Sequence, residues 1–277
     1  MALNTLGETI DIHGGGRDLV FPHHENEIAQ SEALTGKPFA KVWSHCGLIK
    51  INGEKMSKSL GNSLTIRDAL KMYNYEVLKY VMLSKHYASD VDILDKDYLI
   101  AESHLYYFYN TIIKMQEFIN LYNGNSNGEK LDDDISENIE RDFIEVMDDD
   151  FNTTAALANL HAIFKYVNNL MKTANKGNRT QVANTLAKIL EEVKEAYGIL
   201  GLFEQSPEEF ANILREKYSK KINLDTEYIE SEIAKRAEAK KQKDFETADS
   251  IRAKLDEQGI ILNDTINGTT WDIKALY

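Results

Sequence analysis

Cysteine is nearly absent: Cys46 is the only one in 277 residues, which excludes an intramolecular disulfide and fits a reducing cytoplasm. Proline is scarce, with three in the chain, so stretches rich in Leu, Ala, Glu and Lys can run on as helices. No apolar run is long enough to span a bilayer, and the start has no basic segment followed by an apolar one. The expected setting is the cytoplasm, with no membrane partner. Positive charge is short too. A formal net charge of −13 excludes nucleic-acid binding by bulk charge, because neutralising phosphates takes a basic face. The acidic excess gathers at Asp132 to Asp134 and Asp148 to Asp150, solvated charges of helix ends and loops. A GxGxxG run is also missing, so no dinucleotide fingerprint is read.

The chain holds 43% hydrophobic and 28% charged residues, the balance of an ordinary soluble protein long enough for two or three domains. Ile10 to His13 reads as a short buried strand, and Gly14, Gly15, Gly16, Arg17 and Asp18 as a glycine turn at its end. Glycines at the C-terminal end of a strand let a ligand approach the backbone. Asp18 is then either an acceptor for ribose hydroxyls or a turn aspartate. Phe21 to Glu27 opens a helix, with Pro22 in its first turn and Gly36 as its stop. His23 and Glu27, four apart, share one face of that helix; the pair suits zinc and equally suits a plain surface or cap interaction. Val42 to Cys46 reads as a strand. Leu48 to Met56 reads as a hairpin turning at Asn52-Gly53.

That hairpin leads into Lys55, Met56, Ser57, Lys58 and Ser59. Two lysines in a short loop with hydroxyl residues can bring two ammonium groups onto a polyphosphate, where preorganised cations stabilise charge that grows in nucleotidyl transfer. The same residues also read as a solvated basic loop. Thr65 and Asp68 form a capping arrangement for the next helix, and Tyr75, Val77, Leu78, Tyr80, Val81 and Leu83 supply the core face of another.

From Asp95 the chain reads as helical, around Leu99 to Tyr122, Ala155 to Met171 and Val182 to Leu200. Leu160, Ile163, Phe164, Val167, Leu170 and Met171 form a bundle-packing stripe. His104 and His161 are read as structural. Phe203 to Lys221 reads as a linker with a short helix after Pro207. At the end, Lys235, Arg236, Lys240, Lys241, Arg252 and Lys254 make the one concentrated basic face. They read either as an RNA-binding surface or as a charged helix pair balanced by Glu230, Glu232, Glu238 and Glu246. A small hairpin over Ile260 to Leu262 and Thr269 to Ile273 follows.

The runs DIHGGGRDLVFPHHENEIAQSEA, WSHCG, EKMSKSLGNSLTIRDAL and His86-Tyr87, with KRAEAKKQKDFETADSIRAKLDEQGIILNDT and GTTW near the end, resemble cysteinyl-tRNA synthetases of class I. The resemblance implies α/β plus all-α architecture: part of a Rossmann-type catalytic domain over 1–56, the KMSKS loop and stem-contact helices over 57–94, a helical bundle over 95–203, a linker over 204–224 and an anticodon-binding-like domain over 225–277. It implies the ligation of cysteine to tRNA(Cys) with ATP as substrate and magnesium beside it. Lys55 and Lys58 then act in catalysis. Gly14, Gly15, Gly16, Asp18 and Lys58 lie at ATP, His23 and Glu27 ligate one zinc ion, and Lys235, Arg236, Lys240, Lys241 and Arg252 meet tRNA.

A zinc ion has a chemical reason to be in such a site. Cysteine and serine are near isosteres, and zinc prefers a thiolate to a hydroxyl. The family also carries a half with a HIGH signature and two cysteines completing the zinc tetrahedron, and neither occurs here. Where the family has Arg after His-Tyr, this chain has Ala88. The expectation is the C-terminal portion of a ligase, inactive alone, monomeric or completed by a separate N-terminal half. A non-catalytic tRNA-binding protein and a cysteine ligase for a non-tRNA acceptor are the other readings, and the basic C-terminal helices disfavour the latter.

Overall fold

The computed structural model describes residues 2–51, 53–56, 64–131, 134–265 and 268–276. In chain order its elements begin with α1 (Ala2–Leu6), β1 (Ile10–Gly16), α2 (Glu25–Thr35), β2 (Ala40–Cys46), β3 (Ile49–Ile51), β4 (Glu54–Lys55), α3 (Ile66–Met72), α4 (Tyr75–Leu83) and β5 (Val91–Ile93). The helices α5 (Asp95–Leu121), α6 (Asp134–Glu137), α7 (Ile139–Asp148), α8 (Thr153–Thr173), α9 (Arg179–Gly198), α10 (Pro207–Lys221), α11 (Thr226–Lys241) and α12 (Phe245–Glu257) follow. The hairpin β6 (Ile260–Thr265) and β7 (Gly268–Ile273) closes the series. The chain divides into two compact units, Met1–Tyr98 with Arg141–Asn159, and Leu99–Glu140 with Leu160–Tyr277. Among the described residues no helix is long and apolar enough to cross a membrane.

In the first unit β1 and β2 run parallel, joined through α2, with Ile12 opposite Val42 and Gly16 opposite Cys46. Parallel neighbours need a crossover of this kind. Helix α2 starts with Glu25 and Glu27 in its first turn, where carboxylates oppose the positive end of the helix dipole. It stops at Gly36, whose φ of 66° is the left-handed cap that glycine adopts without strain. The three glycines differ from expectation. Gly14, Gly15 and Gly16 continue the strand, paired with Ser44, His45 and Cys46, because the inter-strand ladder outweighs the preference of glycine for turns. The strand is also less buried than its composition suggested, with Ile12 69% exposed.

Strand β3 lies between β4, antiparallel, and β5, parallel. Gly53 turns the hairpin at φ 81°, and two carboxylates brace it, one at its root and one at its turn. Asp90 accepts from Leu48 N at 3.0 Å and pairs with Lys50 at 3.1 Å, while Asp92 accepts from Gly53 N at 3.0 Å. The Leu48 amide, then Lys50, hold the Asp90 carboxyl below the usual carboxylate range. Thr65 caps α3 by accepting from Asp68 N at 3.1 Å, and Asn74 caps α4 by accepting from Glu76 N at 2.9 Å. Helix α4 then buries Val77, Tyr80 and Val81.

The second unit is helical with one small hairpin. Leu105, Tyr106, Phe108, Tyr109 and Ile112 of α5 are fully buried, as is Leu160 of α8. Phe108 meets Phe164 and His161 at ring distances of 4.7 and 4.6 Å. Residues expected to be a linker with a short helix form the 15-residue α10. Pro207 starts it under a Ser206 cap, and Phe210, Leu214 and Tyr218 recur every fourth residue to make a buried face. Phe210 stacks on Tyr109 at 4.3 Å, and Tyr218 donates to the buried Glu102 at 2.9 Å. At the end of the chain, Ile229, Ile233, Leu255, Ile260 and Leu262 form a cluster between α11, α12 and the hairpin.

Candidate active site

Strand alternation sets His13 and Gly15 of β1 and Trp43 and His45 of β2 on one face of the parallel ribbon. His24, one residue before α2, lies over that face. It is 5% exposed and shares a hydrogen bond with His45, Nδ1 to Nε2, at 2.8 Å. Its ring lies 4.8 Å from that of His13, 5.2 Å from Trp43 and 5.0 Å from His45. Phe39 closes the side with an edge contact to His13 at 5.6 Å. Gly15 has a steric reason to be glycine, since a Cβ there would stand 2.6 Å from His24 Cε1.

Glu27 reaches this aromatic cluster from the first turn of α2. Its Oε2 lies 2.5 Å from His13 Nε2, and ligand atoms of His13, His24 and Glu27 all fall within 4.8 Å of one another. Two imidazoles and a carboxylate are a donor set that zinc accepts. His23, expected to pair with Glu27, is exposed and stands outside this group. Its neighbour His24 is the histidine that the structure brings together with Glu27 and His13. Sequence reading missed His13, His24 and His45 as site residues. The available signals were the two-residue spacing His13/Gly15 and Trp43/His45, and the three-residue spacing of His24 and Glu27.

At the C-terminal end of β1, Arg17 Nη2 donates to the Ala88 carbonyl. Gly47 lies close against the Ser89 carbonyl, 2.0 Å from where a Cβ would be, and donates to the Tyr87 carbonyl at 2.9 Å. Tyr87 donates to Asp150 at 2.6 Å, and the accepting carboxylate pushes the phenol up from its ordinary value. Asp18 follows directly on the glycine strand, and a Cβ at Gly16 would stand 2.6 Å from its Oδ1. Lys55 pairs through its backbone with Lys50 in the β3–β4 hairpin. Lys58 lies outside the described residues.

The expected tRNA side divides. Lys240 contacts Asp264 at 3.0 Å, Lys235 contacts Glu232 at 2.6 Å, and Lys241 lies 3.9 Å from Glu238; all three lysines keep substantial exposure. Arg252 donates to the Leu262 carbonyl at 2.9 Å and is 48% exposed. Arg236 departs from the expectation of a surface contact. It is 2% exposed and makes two hydrogen bonds to Asp264, 2.7 Å from Nη1 and 3.0 Å from Nη2. Its guanidinium is taken up inside the domain, tying α11 to β6.

Residues 1–103 match the family model of the class I (C) tRNA synthetase catalytic domain, and residues 142–204 match the DALR domain. Over 99% of its length the chain is 43% identical to the cysteine–tRNA ligase of Geobacter metallireducens and 41% identical to that of Geotalea daltonii. Nearly the whole chain is thus similar to a portion of the cysteine–tRNA ligases. It spans 56% and 57% of the length of those two relatives. The ligase of Thermodesulfovibrio yellowstonii, 43% identical, is likewise covered over 56%. Two solved structures share the fold. The Mycobacterium tuberculosis methionyl-tRNA synthetase in complex with methionyl-adenylate gives a TM-score of 0.53 at 17% identity, covering 74% of this chain and 44% of that one. The Agrobacterium radiobacter K84 agnB2 LeuRS in a ternary complex with tRNA and LeuAMS gives 0.50 at 14% identity, covering 71% and 28%. These likenesses establish the architecture expected from the sequence: part of a class I α/β catalytic domain followed by helical and small α+β parts. The histidine cluster sits on the strand pair that begins the match to the catalytic-domain model.

Proposed function

We propose that this chain supplies the cysteine-selecting and KMSKS-bearing portion of a cysteine–tRNA ligase, which joins L-cysteine to tRNA(Cys) using ATP with magnesium. The observation that carries the reading is the convergence of His13, His24 and Glu27 at the glycine strand, in a chain 43% identical over 99% of its length to a cysteine–tRNA ligase. Glu27 and the imidazoles of His13 and His24 would hold zinc, with His23 the further imidazole of the same turn. When bound, zinc supplies a position that takes a thiolate far better than a hydroxyl, separating cysteine from serine.

The residues around this group have defined tasks. His45 fixes the His24 ring through its shared hydrogen bond, as ligand imidazoles require. Trp43 and Phe39 wall the group and limit water. Gly14 to Gly16 leave the backbone open to the nucleotide at the strand end, and Asp18 accepts from its ribose. Lys55 and Lys58 bring ammonium groups to the charge that develops on the α-phosphate and the departing pyrophosphate. Lys235, Lys240, Lys241 and Arg252 present exposed cations to the anticodon arm of tRNA, and Arg236 holds their helix in place.

The test is cysteine-dependent exchange of pyrophosphate into ATP. The chain alone supports none, whereas the chain joined to the N-terminal half of the family supports exchange that serine does not replace. Robust exchange by the isolated chain would refute the division of labour, and no exchange by the completed enzyme would refute the function.

A further inference from the structure

Helix α10 has two sides. Phe210, Leu214 and Tyr218 face the core, and the positions between them put Asn212, Arg215 and Ser219 along a groove of about 540 Å³. Leu224, in the connection to α11, and Trp271 of β7 supply apolar surface to the same groove. Both also pack on the cluster of Ile229, Ile233 and Leu255, and the indole N–H of Trp271 donates to Glu230 at 2.7 Å, so the ring is held in place. A concave site of this size, with an aromatic ring and a few polar groups, suits a small organic ligand. None of Lys235, Lys240, Lys241 and Arg252 lines it.

Arg215 gives the groove its chemistry. Its side chain is 31% exposed, Nη1 donates to Asn212 at 3.1 Å, and the buried Nε has no hydrogen-bond partner among the described residues. Behind it the buried Asp272 lies 3.9 Å from Nε, too far for a hydrogen bond. That carboxylate already accepts from Tyr106 and, at 2.9 Å, from Ile273 N. It therefore steadies the guanidinium charge without using up its donors. Lys220 adds a second cation to the groove, and its pairing with Glu216 is loose, at 3.9 Å between side chains 81% and 73% exposed. A guanidinium fork with donors to spare, beside a fixed aromatic ring, can take a phosphate and a base together. We propose that this groove binds a nucleotide, its phosphate on Arg215 and Lys220 and its base against Trp271. A free mononucleotide and one nucleotide of an RNA strand offer the same chemistry. The groove shares no residue with the histidine cluster, and its ligand does not depend on the ligase reading.

The full chain has two tryptophans, Trp43 beside the histidines and Trp271 in the groove. Their indole N–H signals in a nuclear magnetic resonance spectrum are told apart with Trp271→Phe. Adenosine monophosphate and, separately, a short adenylate RNA oligomer are titrated into the chain. Saturable movement of the Trp271 signal with the mononucleotide makes a free nucleotide the ligand, and movement with the oligomer alone makes it an RNA strand. Arg215→Gln is expected to weaken binding about tenfold or more, and Lys220→Gln about threefold. Lys194→Gln, exposed on α9 and outside the groove, leaves it unchanged. Lys220 is 81% exposed, so its variant keeps the fold and decides the matter if Arg215→Gln loses its circular dichroism spectrum. No movement of the Trp271 signal with either probe, movement of Trp43 alone, or undiminished binding by both groove variants overturns the proposal. Inorganic phosphate that moves the Trp271 signal as far as the mononucleotide does overturns it too, because no base is then bound.

Discussion

Replacing Asp264 by Asn removes the charge that faces the buried Arg236 and keeps the shape of the side chain. Arg236 then remains 2% exposed, with a guanidinium that had two hydrogen bonds to a carboxylate. Stripping one member from a fully buried ion pair costs about 3–5 kcal/mol. Asp264 is 40% exposed, so water recovers part of that loss, and Thr269, which donates to Asp264 at 2.8 Å, stays in place. The expected cost is about 2 kcal/mol. Arg236, followed by Thr269 and Lys240, holds the Asp264 carboxyl well below the usual carboxylate range. A carboxylate whose folded value is depressed stabilises the fold above its unfolded value near 4 and loses that contribution as pH falls below it. Asp264→Asn is therefore destabilised at pH 7 and shows a flatter loss of stability on acidification than the parent. Hydrogen exchange of the β6 amides at pH 7, with urea midpoints from pH 7 to 3, measures both. A change under about 0.5 kcal/mol with an unchanged acid slope would mean that the pair contributes no net stability, and would refute the reasoning.

Gly15→Ala places a methyl group 2.6 Å from His24 Cε1; zinc retained after dialysis is expected to fall about tenfold or more with the circular dichroism spectrum unchanged, and full retention would separate His24 from the metal. Burial lowers His104 and, helped by the charge of His104, pushes His161 down to about 4. Their folded values lie below the unfolded one near 6.5, so the neutral pair gives full stability above that pH and loses it as pH falls toward 4; His161→Gln flattens this dependence in urea midpoints between pH 7 and 5. Phe210→Ala deletes a fully buried ring stacked on Tyr109 and is expected to cost about 3–5 kcal/mol in urea unfolding. A loss under about 1 kcal/mol would show that α10 is peripheral to its core.

Where local chemistry decides structure, the sequence is readable. The Thr65 cap, the Gly36 stop, the Gly53 turn and the stripe from Leu160 to Leu170 all depend on residues within one or two turns of each other, and each element stands where spacing put it. The candidate site depends on register instead. His13 meets Trp43, and His45 stands beside Gly15, because two strands 30 residues apart in sequence align residue by residue, which no local pattern states. Glu27 was legible as half of a helical pair, but the choice between His23 and His24 turns on which ring fits above Gly15. Arg236 looked like its basic neighbours because its partner, Asp264, lies 28 residues away. The helix α10 was hidden behind a charged surface, and only Phe210, Leu214 and Tyr218 taken together reveal a buried side.

Asp90 and Asp92 bring a constraint of another kind. Lying two residues apart, they present both carboxylates to one side of the strand, where they hold the amides of Leu48 and Gly53 at the two ends of β3. A deletion of one residue between Gly47 and Val91 that advanced β5 by one position would turn both acids away at once and free the root and the turn of the hairpin that carries Lys55. Length variation among descendants of this chain should therefore fall in pairs here, or outside the segment altogether, even where the side chains themselves are free to change.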